Sequence, residues 1–261
     1  MHNKLCLILF LLTTLTLSAC SAAVDVPPTV TPATNVAPST VPATAQTTAP
    51  VTEPWQPAFQ IPGLSVDEVI RYFNEVCLDA EFINSGDPSR LQKWDTPIYY
   101  CTHGTPTETD LEVLQSFALW LNTIDGFPGI FETDNPLEAN LDIHFCSQEE
   151  LITLMGNQFH GTDGAVTFWY SDDRIYEAII CCRTDLSQEL RNSVILEELY
   201  NSLGPVQDTA LREDSIIYAG YSEPQALTEI DQLILRLLYH PKLHCGMDAA
   251  ACAEVICQLY E

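Results

Sequence analysis

Leu196-Glu197-Glu198-Leu199-Tyr200-Asn201-Ser202-Leu203-Gly204-Pro205-Val206-Gln207-Asp208 is the stretch on which the reading of this chain turns. Its first half continues a long helix expected over about 186–203. Gly204 accepts the left-handed conformation that closes such a helix, and Pro205 cannot continue it. Glu197 and Asn201 are four residues apart and so lie on one helical face. Glu198 is rotated by about 100° from Glu197 and stands beside that face. Past the glycine the chain can turn back, bringing Gln207 or Asp208 toward the same place. Adjacent glutamates on an acidic helix ordinarily face water. The opposite expectation, that this acidic-amide stripe faces a groove, carries the functional reading.

Outward from this helix the chain is strongly acidic, with 36 Asp and Glu against 10 Lys and Arg and a net charge of -26. Nucleic acid is excluded as a partner, because phosphate binding needs a basic face. Such a surface suits solubility, cationic partners or divalent ions. The first residues carry one cation, Lys4, then an apolar run from Leu5 through Leu17, then Leu17-Ser18-Ala19-Cys20. That is a secretory signal over 1–19, too short to span a membrane as a helix. A cysteine directly after Leu-Ser-Ala resembles the bacterial lipoprotein box. Cys20 is then the lipidated N-terminus, which holds the chain to the cell membrane on its extracytoplasmic side. Residues 20–57 are rich in Pro, Thr, Ala and Val without helical or strand periodicity. They cannot bury enough surface to offset ordering entropy and read as a disordered, extended spacer. Residues 58–261 remain as one α+β domain.

Eight cysteines follow the anchor: Cys77, Cys101, Cys146, Cys181, Cys182, Cys245, Cys252 and Cys257. An even number in an exported chain reads as up to four disulfides, with pairing open. Cys181 and Cys182 point to opposite faces if their stretch is a strand. His240, His244 and the last three cysteines lack the tight Cys-x-x-Cys spacing of a zinc knuckle. His103 and His160 fall in expected loops, and His144 lies on a strand opposite its apolar side.

Capping boxes mark the helices. Ser65 to Glu68, Thr107 to Asp110, Ser147 to Glu150 and Thr228 to Asp231 each open an apolar stripe at helical spacing. A last helix is expected from about Asp248 to Tyr260. Strands are expected over 97–102, 140–145, 165–170 and 174–181, with Ser171-Asp172-Asp173 as a hairpin turn. This order gives an α+β fold, a small mixed sheet packed with helices and followed by a helical C-terminal part.

The frame Glu197-Glu198-x-x-Asn201-x-x-Gly204-x-x-Gln207 resembles the zinc helix of zincin metallopeptidases. There a His, a Glu, two spacers, a second His, two spacers, a Gly and a third ligand follow in turn. By that resemblance Glu197, Asn201 and Gln207 stand at the ligand positions and Glu198 at that of the general base. Asp214-Ser-Ile-Ile-Tyr218, Leu227-Thr-Glu-Ile-Asp231, Leu238-Tyr239-x-Pro241 and Gly246-Met247 follow. The whole order resembles the bacterial exported family catalogued as domain-of-unknown-function family 2927, itself similar to metzincins with altered ligands. The strongest matches run from about Val194 to Met247, and Ser215-Ile216-Ile217 stands where metzincins carry Ser-Ile-Met. The resemblance implies a zincin-like fold and an envelope lipoprotein, and it implies no established activity. Family members tend to carry Gln at the position of Asn201 and Asn at that of Gln207, so the amides here are shuffled.

Zinc prefers imidazole, thiolate and carboxylate, and an amide oxygen is a weak neutral ligand. Without a tightly held metal no water is acidified, and Glu198 has nothing to activate. No metal or other cofactor is therefore expected. Oxygen-only donors such as Glu197, Glu198, Asp208 and Asp214 suit calcium if they converge. The preferred reading is a surface-anchored pseudoenzyme that binds a peptide, wall polymer or partner protein through Glu197, Asn201, Gln207, Asp208 and Asp214. The alternative is a carboxylate-ligated metal hydrolase with Glu198 as base. A third reading is a disulfide-stapled structural module.

Overall fold

The computed structural model describes residues 59–78 and 90–260. The expected signal at 1–19, the Cys20 anchor and the 20–57 spacer lie outside the described residues. The helices stand where their caps place them. α1 (Val66–Leu78) begins at Ser65, whose Oγ accepts from the Glu68 N–H while Glu68 accepts from the Ser65 N–H. The same reciprocal box opens α2 (Glu108–Leu121) at Thr107 and Asp110, and α3 (Gln148–Met155) at Ser147 and Glu150. α4 (Gln188–Ser202) starts at Ser187 and ends at the expected glycine. α5 (Glu229–Leu238) starts at Thr228 and α6 (Ala249–Tyr260) follows. Satisfying orphan N–H groups this way stabilises each helix start by about 1 kcal/mol.

The strands are β1 (Lys93–Trp94), β2 (Ile98–Gly104), β3 (Ile130–Glu132), β4 (Leu141–Cys146), β5 (Gly164–Ser171) and β6 (Arg174–Arg183). β1 and β3 were not anticipated, because two or three residues are too short to display a period. β3 lies parallel to β2, β2 to β4, β4 to β6, and β1 to the first two residues of β6. β5 alone runs antiparallel, joined to β6 by the expected hairpin. Asp172 and Asp173 take φ of 50° and 60° there. That is the primed two-residue turn whose twist matches a right-twisted ribbon. Among the described strands β5 has β6 as its one neighbour, so it forms an edge of the sheet. The architecture is α+β, on a mostly parallel six-stranded sheet.

Alternation along the strands sorts the two faces. Leu141, Ile143, Val166, Phe168, Ala178, Ile180 and Cys182 enter the main core with α1, α2, α4 and α5. Cys146, Ala165 and Cys181 face the other way and meet Leu151, Met155 and Phe159 in a smaller cluster around α3. Tyr99 and Phe131, on neighbouring strands, leave that second face half open. His103 also corrects its expected loop position. It lies on β2 with its ring stacked on that of His144, and its Nε2 is 2.6 Å from Asp142.

Lys93 is buried at the end of α5. Its Nζ donates to the carbonyls of Leu238 (2.7 Å) and Leu243 (2.6 Å) and sits 5.5 Å from the centre of the Tyr239 ring. It thus caps the negative end of the helix dipole. Burial pushes its ammonium down to about 8. The unfolded chain holds that proton to about pH 10.4, so between these values the unfolded state binds more protons. Stability from this group should therefore rise with pH from about 8 to 10, by at most about 1.4 kcal/mol per pH unit. Denaturant melts of the wild type and Lys93→Met across that window should show the wild type gaining on the variant.

Candidate functional site

Every residue of α4 from Ser193 to Ser202 is buried. A helix enclosed on all sides is expected to be apolar all round. This one carries Glu197 at 8 %, Glu198 at 7 % and Asn201 at 1 % exposure. The reading of the glutamates as a solvated face is thereby ruled out. Glu197 and Asn201 share one face a helical turn apart.

Glu198 lies against the start of the edge strand. A Cβ added at Gly164 would fall 2.7 Å from Glu198 Oε1, 2.9 Å from its Cγ and 2.4 Å from Val194 Cγ1. The first residue of β5 is thus bare where the carboxylate passes, and α4 packs directly beneath β5 and β6. Burial, and after it negative charge on Glu198, pushes the neighbouring Cys182 thiol up. Gly164 ends the glycine-rich stretch His160-Gly-Thr-Asp-Gly164, which in the sequence reads either as a plain loop or as a cleft lining ahead of an edge strand.

The segment after α4 is positioned by its backbone. Gly204 has φ +128°, and a Cβ there would strike the Gln92 carbonyl at 2.6 Å, so the turn admits only glycine. The Val206 and Gln207 N–H groups then donate to the Val76 carbonyl at the end of α1. Thr209 Oγ1 donates to Glu75. Gln207 and Asp208 are half-buried on this tethered segment. Asp214 goes elsewhere. It is exposed and bound bidentately by Arg212, with N–O distances of 2.8 and 2.6 Å.

The turn that follows is anchored from below. Fully buried Asp231 accepts from Ser215 Oγ (2.7 Å), from the Ile216 N–H, and from the Thr228 N–H and Oγ1. Ser215 in turn accepts from the Tyr72 hydroxyl at 2.8 Å. One carboxylate therefore caps α5 and ties the Ser215-Ile216-Ile217 turn to α1. Its capping role was visible in the sequence, whereas its grip on the turn needs the fold. Burial raises the Asp231 carboxyl above the usual range, against its hydrogen bonds.

Among the described residues no group of three or more His, Cys, Asp or Glu side chains is arranged to hold a metal ion. The eight expected disulfide cysteines are present as thiols. An apolar groove of about 350 Å³ runs on the α2 side of α4, lined by Val113, Phe117, Trp120, Leu196 and Leu227. It opens beside Leu196 and does not reach the acidic stripe. None of the described helices is long and apolar enough to cross a membrane.

Substitutions at Gly164 and Asp231 test this geometry. Gly164→Ala should destabilise by about 1–3 kcal/mol through overpacking. It should cost measurably less in a Val194→Ala background, read as positive coupling in a denaturation cycle. Asp231→Ala should lose about 2–4 kcal/mol, since it strands several buried donors, and Asp231→Asn should lose less.

No curated protein matches the chain. Residues 66–258, from the first helix into the last, match the family described as a protein of unknown function, DUF2927. The chain belongs to that family.

Proposed function

We propose that the protein is an exported lipoprotein, anchored through Cys20, whose domain is a zincin-like pseudoenzyme that binds an extended cationic peptide. The burial of Glu197, Glu198 and Asn201 on one helix, with Glu198 against the start of an edge strand, carries this reading. An antiparallel edge strand presents backbone groups that an added chain can pair with. The enclosed acidic stripe and the net charge of -26 favour positive partners. Ligand positions filled by a carboxylate and two amides suit binding and do not suit zinc hydrolysis. The Ser215 turn, held on Asp231, supports the zincin-like comparison, because the chain just after it pairs with Thr209 in the segment that follows α4.

Hydrolysis is the second reading, with Glu198 as general base and a carboxylate-held metal. Both are tested on the mature protein with an unstructured, fluorescently labelled Lys/Arg-rich peptide. Anisotropy should report saturable, salt-sensitive binding, weakened about tenfold in Glu197→Gln and Glu198→Gln. Chromatography of the same mixtures with millimolar Zn²⁺ or Ca²⁺ should show intact peptide. Glu198-dependent cleavage overturns the pseudoenzyme, and no binding at low salt overturns the peptide role. Cys20→Ser should abolish lipid labelling and shift the protein out of the membrane fraction.

A further inference from the structure

We infer that Cys146 and Cys181 are a disulfide-forming pair that closes the end of β4 onto β6 beneath α3. The strands are parallel neighbours, with His144 opposite Cys181 and Cys146 opposite Arg183. Cys146 and Cys181 are therefore diagonal neighbours on one face of the sheet. Both sulfurs lie in the small cluster with Leu151, Met155, Phe159 and Ala165. The two thiols are near enough to interact side chain to side chain. Cys182 turns to the opposite face and is buried in the main core, which removes it as a rival.

The two sulfurs are unequal in a way that suits exchange. Cys146 directly precedes Ser147, the N-cap of α3, where the positive end of the helix favours a thiolate. Their side-chain interaction lowers the Cys146 thiol further and, with burial, raises that of Cys181. Cys146 is thus the attacking sulfur. With glutathione disulfide as oxidant, the Cys146 thiolate attacks one glutathione sulfur. The glutathione S–S bond breaks, and one glutathione leaves, taking up the proton from Cys146. Cys181 then loses its proton and attacks Cys146 Sγ in the mixed disulfide. The second glutathione departs and takes that proton. Two electrons pass from the cysteine pair to the oxidant, and one S–S bond replaces another. Cys146 is only 7 % exposed, so exchange proceeds through lifting of the short helix α3 or during folding.

The test uses the full chain equilibrated in oxidised or reduced glutathione, quenched, alkylated and digested for tandem mass spectrometry. Fragment ions between Cys181 and Cys182 assign the partner. In oxidised buffer a Cys146–Cys181 linked peptide is expected, with a Tm roughly 5–10 °C above the reduced protein. Cys146→Ser and Cys181→Ser should each abolish the linked peptide and this redox-dependent shift. Alkylation of both sulfurs in folded, oxidised protein overturns the inference. So does linkage of either one to another cysteine.

Discussion

The enclosure of α4 is the constraint from which the rest of the domain follows. The helix lies under β5 and β6, beside α2, and is surrounded from Ser193 to Ser202. A carboxylate taken out of water costs several kcal/mol unless polar groups or charges replace its hydration. Two in succession, with an amide one turn later, fix what the neighbours must provide. Gly164 supplies space by having no side chain, and Gly204 supplies a turn tight enough to bring the next segment over Gln92.

Another buried acid, Asp231, organises the segments around α5. Asp231 serves two masters: the first turn of α5 and the Ser215 turn that Tyr72 also grips from α1. Elements far apart in sequence are thereby registered to one another through directional hydrogen bonds, where apolar contact alone would let them slide. The buried Asp110–Arg191 pair does similar work between α2 and α4. Arg191 Nε donates to Asp110 at 2.8 Å, and its other nitrogens reach the Thr184 carbonyl and Gln188. An acidic chain with few bases has spent one of them on this internal tie.

What could be read from the residues alone follows physical range. Capping boxes and helical stripes are local, so Ser65, Thr107, Ser147 and Thr228 announced their helices correctly. The Asp172-Asp173 turn was legible for the same reason. β1 and β3 were not, since their pairing is with strands distant in sequence and their length carries no period. His103 was assigned to a loop because nothing local says that β2 continues to Gly104. Within the site, the spacing of Glu197, Glu198 and Asn201 was readable, and their burial was not. Composition favours a wet surface for such residues, and the packing of α2, β5 and β6 around α4 reverses it. Asp214 shows the converse, since its motif position suggested convergence while Arg212, two residues earlier, holds it in solvent.

The arrangement also bears on the choice between a binding domain and a purely structural one. Replacing buried ionic groups by apolar residues of similar volume is often neutral or stabilising. A helix whose only task was to fill the space beneath β5 would be served by leucines at 197, 198 and 201, like Leu196 and Leu199 beside them. The glycine opposite Glu198 answers the same packing, since Val194 and Glu198 already fill the place a side chain would take. The acid and the glycine make sense as a matched pair, because each is a disadvantage without the other. That complementarity sits where α4 meets the edge strand of the sheet.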